Sequence, residues 1–81
     1  MSAQYIDWAT ARKLVLSRLT QWVQSLPAAE RMLKISWGTY LLSPDDMIRH
    51  VTILDDLGRQ IVAAELNKIS QEVGITYIIA G

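Results

Sequence analysis

Apolar residues recur at spacings of three and four along the first third of the chain. Asp7 precedes WATARKLVLSRLTQWVQSL, in which Trp8, Ala11, Val15, Leu19, Trp22 and Leu26 mark one face and Leu14, Leu16 and Val23 widen it. This pattern predicts an amphipathic helix over residues 8–26, with the Asp7 carboxylate capping its free N–H groups. Pro27 ends that helix and suits the first turn of another, because its missing N–H would have been unpaired there anyway.

Residues 28–42 read in two ways. Ala28 to Lys34 are good helix formers and Gly38 can close a short helix. Leu33, Ile35 and Trp37 also alternate as a strand would, with Thr39 to Leu42 as a hairpin partner. The helix is the preferred reading, since Pro27 starts it.

At Ser43-Pro44-Asp45-Asp46 a hydroxyl, a proline and two acids stand where a helix needs them. The Ser43 oxygen can accept from a first-turn N–H, Asp46 can reach back as in a capping box, and both carboxylates face the positive end of the helix dipole. Met47, Ile48, Val51, Leu54, Ile61, Val62, Leu66, Ile69 and Val73 then continue one apolar face. Unbroken, this helix would run from 44 to 73, roughly 30 residues and about 45 Å. Gly58 lies inside it and marks a kink or a close approach by another helix, because glycine there costs about 1 kcal/mol relative to alanine. Gly74 stops the helix, and β-branched and aromatic residues predict a strand over 75–79. A lone strand needs a partner, either the hairpin at 32–42 or the same strand of a second molecule.

The expected architecture is therefore mainly α, a single small domain over residues 1–81 with two long amphipathic helices, a short helix and a C-terminal β-strand. The alternative is an α+β arrangement in which a hairpin at 32–42 pairs with the strand at 75–79.

Composition changes this picture in one respect. Of 81 residues 51% are hydrophobic and three are Trp, more apolar side chain than so small an interior encloses, since a domain of this size buries only about 60–65% of its chain surface. Some of it is expected to meet another chain. No apolar run approaches the roughly 18 residues of a membrane span, and MSAQYIDWATARK lacks the pattern of a signal peptide. With no cysteine in the chain, these features predict a cytoplasmic protein without disulfides or thiolate metal sites.

The net charge is zero but unevenly placed. Residues 1–43 carry +3, from five basic groups against Asp7 and Glu30, and residues 44–81 carry −3. Arg12 falls close to the apolar stripe of the first helix, while Asp55, Glu65 and Glu72 fall in or beside that of the long helix. Charges there need partners, so an arginine of the first helix, with Arg12 as the candidate and Arg18 at the other edge of the stripe, is expected to bridge to a carboxylate of the long helix, within one chain or between two.

Chemistry finds little to work with. Asp46 and His50 stand four apart, a spacing that can offer two metal ligands, but no Cys or second His completes a set. Glu65 is followed three residues later by Lys68, not His, and no phosphate loop or nucleophile elbow is present. Neither a catalytic site nor a cofactor or metal is expected. A helix-turn-helix can be drawn from the second helix, the turn at Gly38 and the helix at Ser43, making a DNA-binding regulator the alternative function. Asp45 and Asp46 at the start of its recognition helix would repel phosphates. The sequence points instead to a non-catalytic adaptor or assembly module that self-associates, most simply as a dimer, or docks on a larger protein. Its interface candidates are Trp8, Arg12, Trp22, Trp37, Asp55, Glu65, Glu72, Ile75, Tyr77 and Ile79, with Ser43 and Asp46 as a helix cap.

Overall fold

The computed structural model describes residues 2–80. The chain forms β1 (Ser2–Ile6), α1 (Trp8–Ser25), α2 (Ala28–Arg31), β2 (Ile35–Trp37), β3 (Tyr40–Leu42), α3 (Pro44–Ile53), α4 (Asp56–Val73) and β4 (Ile75–Ile79). It is mainly α, as its pattern predicts.

The first helix begins where Asp7 accepts from the Thr10 N–H at 2.7 Å. It buries Ala11, Val15, Leu19 and Val23, one residue per turn, against α3 and α4. Ala11, Val15 and Leu19 share one core with Met47 and Val51 of α3 and Leu57, Ile61, Val62 and Leu66 of α4, closed by Ile6 and Leu42. Leu26 leaves the helix in extended conformation. The carbonyls of Gln24 and Leu26 accept from the Arg31 guanidinium, so the single turn of α2 folds back on the end of α1.

Beyond Arg31 the helix reading fails. Residues 35–42 form the hairpin instead, joined by the two-residue turn Gly38–Thr39, with Gly38 at φ 61 where an L side chain is strained. Seven favourable helix formers, Ala28 to Lys34, sustain only one helical turn and do not carry it into Ile35, Trp37 and Tyr40, whose shapes suit a pleated surface. The hairpin does not pair with β4. It forms its own two-stranded antiparallel sheet, anchored at its base by buried Leu42.

Ser43 caps α3 as expected, its Oγ accepting from the Asp46 N–H at 3.1 Å while Asp46 Oδ2 accepts from the Ser43 N–H at 3.0 Å. These bonds hold the Asp46 carboxyl below the usual carboxylate range. Replacing Ser43 with Ala should cost about 1 kcal/mol in chemical denaturation. A change near zero would mean that the cap adds nothing to the fold.

The predicted long helix is two helices. Leu54 adopts a left-handed conformation (φ 51, ψ 45), and Asp55 starts α4 afresh, accepting from the Gly58 N–H at 2.7 Å. The other Asp55 oxygen lies 2.6 Å from His50 Nδ1; an ionised carboxylate only accepts, so this ring nitrogen carries the proton. An aspartate that finds both a backbone donor and an imidazole gains more by capping than by continuing a helix. The break folds α4 back on α3, and there Gly58 is buried against the His50 carbonyl. Both readings of Gly58 apply: the helix is interrupted a few residues before it, and α3 approaches it closely.

Gly74, at φ 73, ends α4 and turns the chain into β4, which runs back along that helix. The partner of β4 is a segment that the sequence pattern did not mark. Residues 2–6 pair with it in parallel, Ser2 beside Ile75 through Ile6 beside Ile79. Residues near the two ends of the chain thus form a ribbon, tied at its far end by the Ala80 N–H to the Ile6 carbonyl at 2.8 Å.

Candidate functional site

Three surfaces could carry function, and the first is a cleft between α1, α4 and the hairpin. Arg18 projects from α1 between Val15 and Leu19, the residues that lock this helix into the core, so its guanidinium is held over α4. Its Nε donates to Glu65 Oε2 at 3.2 Å, and its two terminal nitrogens donate to the Glu72 oxygens at 2.6 and 2.8 Å. Lys68 donates to the remaining Glu65 oxygen at 3.2 Å. Glu65 is only 7% exposed. Glu72 is held below the usual carboxylate range by the Arg18 hydrogen bond, and Arg18 is pushed up by the same contact.

Trp22, Ile35, Trp37 and Met47 wall the rest of this cleft, about 340 Å³ in volume. Each oxygen of Glu65 already accepts from a cation, and among the described residues no buried side-chain nitrogen or oxygen lacks a partner. The cluster thus clamps α1 to α4 through a connected set of charge-assisted bonds.

The second surface is the hairpin arm. Met32, Leu33, Ile35, Tyr40 and Leu41 are all exposed there, Met32 to 80% and Leu41 to 66%. The sheet positions place Ile35, Trp37, Tyr40 and Leu42 on one face and Ser36 and Leu41 on the other.

The third surface is the ribbon. Ile75, Tyr77 and Ile79 face α4 and are half-buried, whereas Thr76 and Ile78 point outwards. A groove of about 630 Å³ runs between β4 and α4, lined among others by Trp8, Leu66, Ser70 and Tyr77. In β1 only Ile6 is buried, and Tyr5 is 70% exposed.

The interface candidates are thereby distributed. Trp22, Trp37, Glu65 and Glu72 meet at the clamp, and Trp8, Ile75, Tyr77 and Ile79 meet at the ribbon. Trp8 also lies beneath the Arg59 guanidinium, 5.5 Å from its ring centre. Asp55 is at neither place; it caps α4, and its carboxyl is held low by the Gly58 N–H and then by His50. Arg12 donates to the Thr52 carbonyl in the last turn of α3 at 3.3 Å and, among the described residues, bridges to no carboxylate. The arginine that bridges α1 to the acids is Arg18. Both arginines stand at edges of the apolar stripe, and only the placement of α4 distinguishes them. Tyr5 and Lys68 were not singled out; the one signal for β1 was Tyr5-Ile6, two strand-favouring residues just ahead of the Asp7 cap.

The helix-turn-helix alternative loses its first helix, because 28–37 is one helical turn followed by β2. Among the described residues no group of three His, Cys, Asp or Glu side chains could hold a metal ion, and no helix is long and apolar enough to cross a membrane. Comparison with family models, with curated proteins and with solved structures found no match to this chain.

Proposed function

We propose that this chain is a non-catalytic protein–protein interaction module that works as a self-associating unit, most simply a two-fold dimer in the cytoplasm. One observation carries the reading. The β1–β4 ribbon is a parallel sheet of two strands, with four of the five residues of β1 exposed. Parallel sheets are otherwise multi-stranded and covered on both faces, and two strands alone are marginal in water. This ribbon needs further cover that one copy does not supply.

The polar groups support the non-catalytic part, since each cluster has a structural task. His50 and Asp55 fix the junction of α3 and α4, Ser43 and Asp46 cap α3, and Arg18 clamps two acids. The apolar arm of residues 32–41 adds a surface suited to a larger protein, because large hydrophobics gathered in one exposed place favour burial against a partner.

Self-association makes stability depend on concentration by mass action. The melting temperature should rise by about 3–6 °C for each tenfold increase in protein concentration, for a domain of this size. Calorimetry or circular dichroism over two decades of concentration measures it, and a constant melting temperature would count against the proposal.

A further inference from the structure

We infer that the contact between copies is the outer edge of β1, where a second copy of this chain adds its own β1 in antiparallel orientation across a two-fold axis passing beside Gln4. This rests on the self-association reading and assigns it a place and a register.

The edge is defined by which backbone groups are already used. In a parallel pair, alternate residues of a strand turn both N–H and C=O towards the neighbour. The Ile6 carbonyl accepts from Ala80, so Ser2, Gln4 and Ile6 face β4. Ala3 and Tyr5 therefore turn their N–H and C=O groups to the opposite side. The other edge of the ribbon differs, because the Tyr77 N–H on the outer side of β4 already donates to Ser70 Oγ at 3.3 Å and α4 stands alongside. Among the described residues β1 has β4 as its one substantial neighbour.

The strand also lacks what normally protects an edge. SAQYI contains no charge, no proline and no glycine, and exposed edge strands are usually guarded by lysine, proline or a bulge. Self-pairing adds a second requirement, since a two-fold contact sets each side chain against a copy of the same strand. A charged strand would oppose like charges, whereas this one cannot, and the chain carries no net charge to repel a copy at a distance.

The register follows from the two free residues. With the axis at Gln4, Ala3 of one copy lies opposite Tyr5 of the other, and each such pair exchanges two bonds, so all four outward groups of each strand are satisfied. Small Ala3 then sits beside large Tyr5. A slip that places Tyr5 opposite Tyr5, or Ala3 opposite Ala3, leaves Ala3 or Tyr5 respectively without its mate inside the strand. The product is a four-stranded sheet in which the two β1 strands are central and the two β4 strands, each backed by α4, are outermost. The exposed Ala3, Tyr5, Thr76 and Ile78 of each copy become one continuous outer face.

The absence of cysteine makes a direct test possible. Gln4 would face Gln4 of the second copy at a non-hydrogen-bonded position, where Cα atoms lie about 4.5 Å apart, within disulfide reach. Gln4→Cys under mild oxidation should therefore form a disulfide-linked dimer at least tenfold faster than Thr20→Cys, whose exposed site lies on α1. Tyr5→Pro removes an outward N–H and no bond to β4, and should reduce the dimer to monomer with the helical circular dichroism unchanged. A dimeric parent chain with slow Gln4→Cys crosslinking would overturn the edge while leaving self-association in place. A monomeric parent chain would overturn both, and leave the β1 edge to a strand from a different protein. Should Tyr5→Pro unfold, the crosslinking comparison still decides.

Discussion

Gly58→Ala should destabilise the protein by about 3 kcal/mol, the upper end of the range for overpacking a filled interior. Position alone predicts the reverse, since alanine is favoured over glycine in a helix by about 1 kcal/mol. Sterics decide the sign. A β-carbon at Gly58 would lie 2.0 Å from the His50 carbonyl oxygen and 2.6 Å from its carbon. These are backbone atoms of α3, held by the Leu54 N–H to the His50 carbonyl and by the His50–Asp55 contact, so they cannot rotate away as a side chain would. The helices would have to separate, opening the core around Val51, Ile61 and Val62. Against a total of about 5–15 kcal/mol for an ordinary domain the loss is large. Urea unfolding of the variant measures it, and a gain in stability would mean that α3 and α4 do not approach in this way.

The second large effect belongs to Arg18. Arg18→Met keeps an unbranched stem on α1 but leaves Glu65, 7% exposed, with Lys68 alone, and frees Glu72 from its paired bonds. Removing one partner of a buried ion pair costs about 3–5 kcal/mol. Here the Arg18 side chain is 33% exposed and Lys68 still compensates, so about 1–2 kcal/mol is expected after allowing for solvent screening. Glu65→Gln in the same chain should recover part of the loss, because it removes the charge left without its partner. Arg12→Ala, which loses one long bond to a backbone carbonyl, should cost roughly 0.5 kcal/mol. Equal effects at Arg12 and Arg18 in denaturant melts would contradict this assignment.

The contrast between these arginines shows where sequence reading stopped. Angular spacing on one helix reveals that a charge sits beside the apolar stripe, as it does for Glu65 and Glu72, which pair with Arg18 within the chain. It cannot tell which of two stripe edges meets the next helix, because that depends on how α4 is laid against α1. The caps at Asp7 and Ser43 were legible, since their chemistry is completed within four residues. The α3–α4 break was legible only as a kink near Gly58, and its place was not, because apolar positions of the same face continue on both sides of Asp55. Its capping role depends on His50, five residues earlier, and on Leu54 adopting a left-handed conformation that leucine rarely takes. Similarly, Ala28 to Lys34 carry strong helix preference, yet the turn at Gly38–Thr39 and the aromatic pair Trp37 and Tyr40 set the hairpin. The strand at 75–79 was legible from its composition. Its partner was not, because pairing across more than 70 residues of chain leaves no local trace.

That pairing makes a parallel ribbon of only two strands, and the proposed self-association rests on a second copy adding to it. Sedimentation equilibrium at micromolar concentration measures the particle mass directly. Self-association through β1 predicts a species of twice 9.1 kDa, falling to the single mass in Tyr5→Pro. A parent chain that stays at 9.1 kDa across that range, soluble and with its full helical signal, would contradict it.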